Sequence, residues 1–295
     1  MLSVLVVTAV QAEADAITTA LAPATPPAPG DPAVTTPVLA TAAPASPAGR
    51  GDPAATAATV ATQAPATPAG PPGPAGPGSH TAPVATGAPG HRGGAPEVTA
   101  VSGTVSFEVL VVGVGPAAAA AGTATALATA PYDLVVSAGI GGGFQPAAPP
   151  GSLVVADAIV AADLGAETPD GYLPVEALGF GRSVHLPPPD LTAHAAQALD
   201  ALIAPVLTVS TVTGTADRAA ELAARHPRAG AEAMEGFGVA EAAALHAVPV
   251  LEIRAISNAV GPRDRAAWRI GDALAALTEG FGKLVPVLNG WGDHG

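Results

Sequence analysis

The residues of this chain best equipped for chemistry lie far apart in sequence. Glu13 closely follows the apolar run Ser3–Thr8. Glu235 stands in Ala233–Met234–Glu235–Gly236, just ahead of a helix-forming stretch. Arg254 interrupts an apolar strand, and Ser257 and Asn258 close it. Two carboxylates and a guanidinium can take up a proton and steady developing charge. A hydroxyl next to an amide can both donate and accept hydrogen bonds. Each residue also has a plainer reading. Glu235 suits a helix N-terminus, Glu13 the surface of a first helix, and Ser257 a strand end. Arg254 is hardest to set aside, because a guanidinium in an apolar strand must find buried partners. Together they point to one cluster at one edge of a sheet.

The elements that must position them follow from periodicity and punctuation. Ser3–Thr8 is β-branched and reads as a strand buried on both faces, and Ala12–Leu21 has helical composition. Val105–Val112 reads as a strand, Gly113–Gly115 as a turn, and Pro116 as the first residue of an Ala-rich helix. Asp133–Ser137 is a strand running into Gly139–Gly143, read as a glycine turn against which a flat ligand can lie. Ser152–Ile159, Val206–Val212 and Val250–Ile256 are further strands. Helices are expected from near Arg218 to Arg225, over Gly236–His246 and over Ala266–Leu284. This alternation predicts an α/β fold: a single three-layer α/β/α domain with a mixed, largely parallel central sheet. Ligands in such sheets bind at the C-terminal ends of the strands. Gly113 to Ala118 loosely fits a dinucleotide fingerprint, but it is not at the first βα unit and no acidic residue ends the next strand. A tight strand–helix turn explains it better.

Composition sets the outer limits. The chain has 295 residues, 33 Pro, 35 Gly and no Cys. Residues 23–96 hold 18 of the prolines, four charged residues and a single Leu. That tract cannot bury enough apolar area to offset the entropy of ordering. The expected organisation is therefore a catalytic domain from residues 1–22 and 98–295, interrupted by a disordered insertion over 23–97. Without Cys there is no disulfide framework and no thiol chemistry. His185, His194, His226 and His246 show no metal spacing, so neither metal nor cofactor is expected. A net charge of −13 and no basic run argue against a nucleic-acid partner. Nothing resembles a signal peptide or a spanning helix, which points to a cytoplasmic protein without a membrane partner.

Five segments carry a family resemblance. TAVQAEADAI, SAGIGGGF, AMEGFGVAEAA and LEIRAISNA resemble the nucleoside phosphorylase superfamily, and within it the methylthioadenosine/adenosylhomocysteine nucleosidase branch. DLGAETPDGYLPVEALGFG and the stretch from Glu252 to Leu284 resemble the futalosine hydrolases of that branch. The resemblance implies a nucleoside phosphorylase-like fold, a small-molecule nucleoside substrate, hydrolysis of its N-glycosidic bond, and a homodimer. It implies that Glu13 activates the attacking water and that Arg254 lies beside it. It also implies that Glu235 accepts hydrogen bonds from the ribose hydroxyls, that Met234 packs under the sugar, and that Gly141 and Gly142 approach the ligand through backbone. Such a cleavage passes through an oxocarbenium-like sugar cation, which nearby carboxylates stabilise.

One departure is informative. Adenine-cleaving relatives carry Asp where this chain has Asn258. An amide can donate to the O6 of a 6-oxo purine and accept from a protonated N7, so Asn258, steadied by Ser257, points to hypoxanthine. The loop Val10–Gln11–Ala12–Glu13 contains no Arg, and its carboxylate repels phosphate, so water is the expected nucleophile. Arg263, Arg265 and Arg269 are all available to a substrate carboxylate, and the sequence does not choose among them. Asp217 and Arg218 are weaker candidates near the base. Another purine nucleosidase, a phosphorylase, or a non-catalytic nucleoside-binding protein are the competing readings; the pair Glu13 and Glu235 speaks against the last. Replacing residues 25–95 by a short Gly/Ser linker should leave turnover largely intact, since loop closure costs only about 0.6 kcal/mol per doubling of length. Steady-state kinetics on the shortened protein check this: a soluble variant that binds substrate without turning it over would contradict it.

Overall fold

The β-branched runs form the middle of a nine-stranded sheet. In the computed structural model of the chain, the described residues are 1–22 and 98–292, and they fall within one unit. The Pro-rich tract, and the expectation made for it, lie outside them. In chain order the elements are β1 (Leu2–Thr8), α1 (Gln11–Leu21), β2 (Val98–Ser102), β3 (Val105–Val111), α2 (Pro116–Thr129) and β4 (Leu134–Gly143). Then come β5 (Leu153–Ala161), a hairpin of β6 (Gly165–Thr168) and β7 (Gly171–Pro174), and β8 (Val184–His185). They are followed by α3 (Pro189–Leu199), β9 (Leu202–Thr208), α4 (Ala216–Arg225), β10 (Ala231–Ala233), α5 (Gly236–Leu245), β11 (Val250–Ala259) and α6 (Ile270–Gly292).

The sheet runs β10-β9-β5-β11-β4-β1-β3-β2, with β8 on β5 and β10 closing back onto β4. β1, β4 and β11 lie side by side and parallel, so Glu13, the glycine cluster and Asn258 all emerge at one edge. Helices α1, α3 and α6 cover one face around Ile17, Phe107, Leu191, Ile253 and Phe281. α2 and α5 cover the other around Leu5, Ala119, Val154, Val239 and Ala243. The expected α/β/α layering is therefore present. Residues along β11 divide between the faces by strand alternation: Leu251, Ile253 and Ala255 join the first core, while Glu252 and Arg254 turn to the α2–α5 side.

Three expectations need correction. The strand expected over Val206–Val212 is β9, Leu202–Thr208, and ends before Val209. The glycines are not a turn: β4 continues through Gly141 and Gly142 to Gly143. β11 flanks it on one side, and β10 meets it antiparallel, with Ala231 opposite Gly143 and Glu232 opposite Gly142. Glycine is required because backbone crowds in. A Cβ on Gly143 would stand 2.0 Å from the Ala148 carbonyl oxygen, and one on Gly141 2.9 Å from that of Glu232. The last helix starts at Ile270 rather than Ala266. A 3-10 turn over Arg265–Ala267 comes first, capped by Asp264, whose Oδ1 accepts from Ala266 N at 3.1 Å. The unforeseen elements had weak signals. β10 has only three residues, the β6–β7 hairpin is largely exposed, and α3 opens in a run of prolines, with Pro189 at its first position.

Candidate active site

Arg254 organises the edge. Its guanidinium is 1% exposed, and each nitrogen has a neighbour. Nε donates to Glu252 Oε1 at 2.9 Å, Nη2 donates to Ser137 Oγ at 2.9 Å, and Nη1 lies 3.6 Å from Glu235 Oε2. Glu13 completes the surround. A Cβ on Gly139 would meet Glu13 Oε1 at 2.5 Å and Arg254 Nη1 at 2.9 Å, so only a glycine there lets carboxylate and guanidinium approach across β4.

Glu13 sits in the first turn of α1 and reaches back. Its Oε2 accepts from the N–H groups of Ala9 at 3.0 Å and Val10 at 3.3 Å, and its Oε1 from Ile140 N at 2.9 Å. These bonds and Arg254 favour the carboxylate, but burial outweighs them and lifts its pKa above the ordinary 4.5. A carboxyl shifted this way is a better proton acceptor near neutral pH.

Glu235 occupies the N-cap position of α5, yet its side chain makes no cap. Its Oε1 accepts from Gly115 N at 3.1 Å and its Oε2 from Met234 N at 3.3 Å. Gly115 has φ +96°, which explains the glycine in the turn before α2. Met234 beside it is half-buried.

The strand β11 bulges between Ile256 and Asn258, leaving Ser257 as the extra residue. This brings Ser257 and Asn258 into contact: Ser257 Oγ donates to Asn258 Oδ1 at 2.8 Å, and Asn258 Nδ2 donates to Ala259 O at 3.0 Å. Those two bonds fix the amide orientation. One lone pair on Oδ1 and one N–H on Nδ2 remain uncommitted. Gly142 pairs with Asn258, and a Cβ there would stand 3.3 Å from its Nδ2. Across β4, buried Glu232 binds Thr213 twice, to N at 2.8 Å and to Oγ1 at 2.5 Å, fixing the loop after β9 at the same edge. Burial raises the pKa of Glu232. Arg218 pairs instead with Glu221 at 2.7 Å, and Asp217 lies in the first turn of α4.

Glu252 was missed by sequence reasoning. It is fully buried, its Oε2 has no partner among the described residues, and burial raises its pKa. A Cβ on Gly236 would meet its carboxylate at 2.2 Å, so the glycine after Glu235 is the space Glu252 occupies. An acidic residue two positions before an arginine in an apolar strand was the available signal, because both share one face. A separate cavity of about 1040 Å³ at the opposite edge, bordered by Met1, Asp133, His194 and Trp291, shares no residue with this cluster.

Comparison with known proteins shows the family. The Phosphorylase superfamily model matches residues 50–285. A futalosine hydrolase of Streptomyces coelicolor is 66% identical over 212 residues, covering 70% of this chain and 90% of that protein. One of Acidothermus cellulolyticus is 47% identical, covering 61% and 76%. This chain belongs to the phosphorylase superfamily and, within it, to the futalosine hydrolases. Among solved structures, futalosine hydrolase of Helicobacter pylori superposes with a TM-score of 0.62 at 13% identity, covering 97% of each chain. The methylthioadenosine/adenosylhomocysteine nucleosidase of Colwellia psychrerythraea, in complex with adenine, gives 0.55 at 22%, covering 65% and 81%. At those identities the likeness is one of fold.

Glu252 yields a prediction of its own. Glu252→Ala should lower the unfolding free energy by about 3–5 kcal/mol, because it strips a buried cation of its nearest counter-charge. Glu252→Gln should cost less, since the amide oxygen still accepts from Arg254 Nε. Denaturant unfolding of both variants checks this; an Ala variant within about 1 kcal/mol of the parent would contradict it.

Proposed function

We propose that this chain hydrolyses the N-glycosidic bond of futalosine, releasing hypoxanthine and dehypoxanthine futalosine in the futalosine route of menaquinone biosynthesis. The reading rests on one observation above the rest. Two carboxylates, Glu13 and Glu235, flank the same buried guanidinium, and an oriented Asn258 amide ends the strand that carries it.

In the proposed reaction a water attacks C1′ from the face opposite the base. Glu13 takes its proton, the electron pair of the C1′–N9 bond leaves with the purine, and the purine takes up a proton from solvent at N7. Glu235 accepts hydrogen bonds from the ribose hydroxyls, and its charge stabilises the cationic sugar. Arg254 holds Glu13 and Glu235 in place. Asn258 receives the 6-oxo base, with its free N–H directed to O6 and its free lone pair to a proton on N7. Gly141, Gly142 and Met234 line the sugar and base. Water rather than phosphate is favoured, because the one cation beside Glu13 among the described residues is already engaged by Glu252 and Ser137.

We further assign the working form as a cytoplasmic homodimer. Exposed Leu164, Leu173, Phe180, Val184 and Leu186 in one stretch of chain support a protein–protein face. No described helix is long and apolar enough to cross a membrane.

The purified protein should release hypoxanthine from futalosine without phosphate, detected by chromatography. Asn258→Asp should then lower kcat/KM for futalosine relative to its 6-amino analogue by about 10–100-fold, the effect of one mismatched buried polar pair of about 1–3 kcal/mol. An unchanged ratio in an active variant would remove Asn258 as the reader of the purine 6-position.

A further inference from the structure

Nine of the eleven Lys and Arg residues lie among the described residues, and seven of them have a carboxylate within 4 Å. Arg263 and Arg265 are the two that do not. In a chain of net charge −13 two unpaired guanidiniums side by side need a reason. Both stack on one ring: Arg263 Cζ is 5.1 Å and Arg265 Cζ 5.7 Å from the centre of Trp268. Arg269, next in sequence, is spent on Asp272 at 2.5 Å.

The segment carrying them is tied to the base site at both ends. Arg263 N donates to Gly214 O at 3.2 Å, one residue from the Thr213 that Glu232 holds. Arg269 N donates to Ser257 O at 2.7 Å, beside Asn258. Trp268 is therefore one residue from a backbone bond to the base-reading strand end.

We propose that Arg263, Arg265 and Trp268 form a subsite for an aromatic carboxylate, the group at the far end of the futalosine molecule. The proposal rests on the futalosine reading above. The carboxylate takes charge-assisted bonds from the two guanidiniums, and its ring packs at the exposed side of the indole. Stacking holds each planar fork before the ligand arrives, so less freedom is lost on binding. This chooses among the three arginines that the sequence left open and excludes Arg269. It also assigns the subsite a selection rule: nucleosides whose 5′ substituent ends in an anion are preferred over neutral ones.

The test compares futalosine with its methyl ester, which keeps the ring and removes the charge. The wild type should favour the acid in kcat/KM by about 10–100-fold. The double variant Arg263→Gln/Arg265→Gln should bring that ratio to within about threefold of one, through KM for the acid, while Arg269→Gln keeps the preference. Raising ionic strength on the wild type should raise KM for the acid and leave that for the ester nearly constant, a readout needing no variant. A wild type without preference, or a double variant that retains it, would overturn the subsite. Failure of the wild type to cleave either compound would instead overturn the futalosine reading.

Discussion

The edge of this sheet depends on one guanidinium buried among three carboxylates. Taking Arg254 out of water is favourable only if its charge and its N–H groups are matched at close range. Glu252, Glu235, Glu13 and Ser137 provide that match from four different segments. The requirement fixes more than the arginine. It demands glycine at 139, where Glu13 and Arg254 cross β4, and at 236, where Glu252 fills the space of a side chain. It turns Glu235 away from its helix toward Gly115 and Arg254.

The same arrangement tunes the carboxylates. Burial raises the pKa values of Glu13 and Glu252 against the pull of Arg254, while burial disfavours the charge on Arg254 but the three carboxylates around it hold it more firmly protonated. A carboxyl that gives up its proton less readily is suited to taking one from water. Its position in the first turn of α1, with three backbone N–H groups directed at it, still leaves a carboxylate stable enough to act. The division of roles in the proposed reaction follows from this: Glu252 balances charge out of reach, and Glu13 and Glu235 face the reacting sugar.

Much of this was legible in sequence where residue type and period agree. The strands around β1, β4 and β11 are β-branched runs, and a guanidinium in one of them announced buried partners before any were known. The glycine cluster reads as a turn in sequence because local sequence cannot see the β10 and β11 backbones that press on it from both sides. Glu252 went unnoticed for a related reason: strand alternation places it beside Arg254, but its importance comes from burial set by α5. Arg263 and Arg265 were visible as candidates, and only the pairing of every other described cation separates them. The Pro-rich tract lies outside the described residues.

The central claim is that Glu13 takes the proton of the attacking water while Arg254 and Glu235 hold the substrate side. Glu13→Gln keeps the shape and, with its amide oxygen toward Ala9 and Val10, two of the three acceptor contacts, but it cannot take a proton. Single-turnover hydrolysis of futalosine, measured with the affinity for the same substrate across pH, tests it most directly. The account predicts a rate lower by about 10²–10⁴-fold with affinity nearly unchanged. It also predicts a wild-type rate that falls as pH drops through a pKa above 4.5, because the raised Glu13 must be ionised to act, and a variant that lacks this acid limb. A Glu13→Gln enzyme that keeps near-normal turnover and the same acid limb would contradict it.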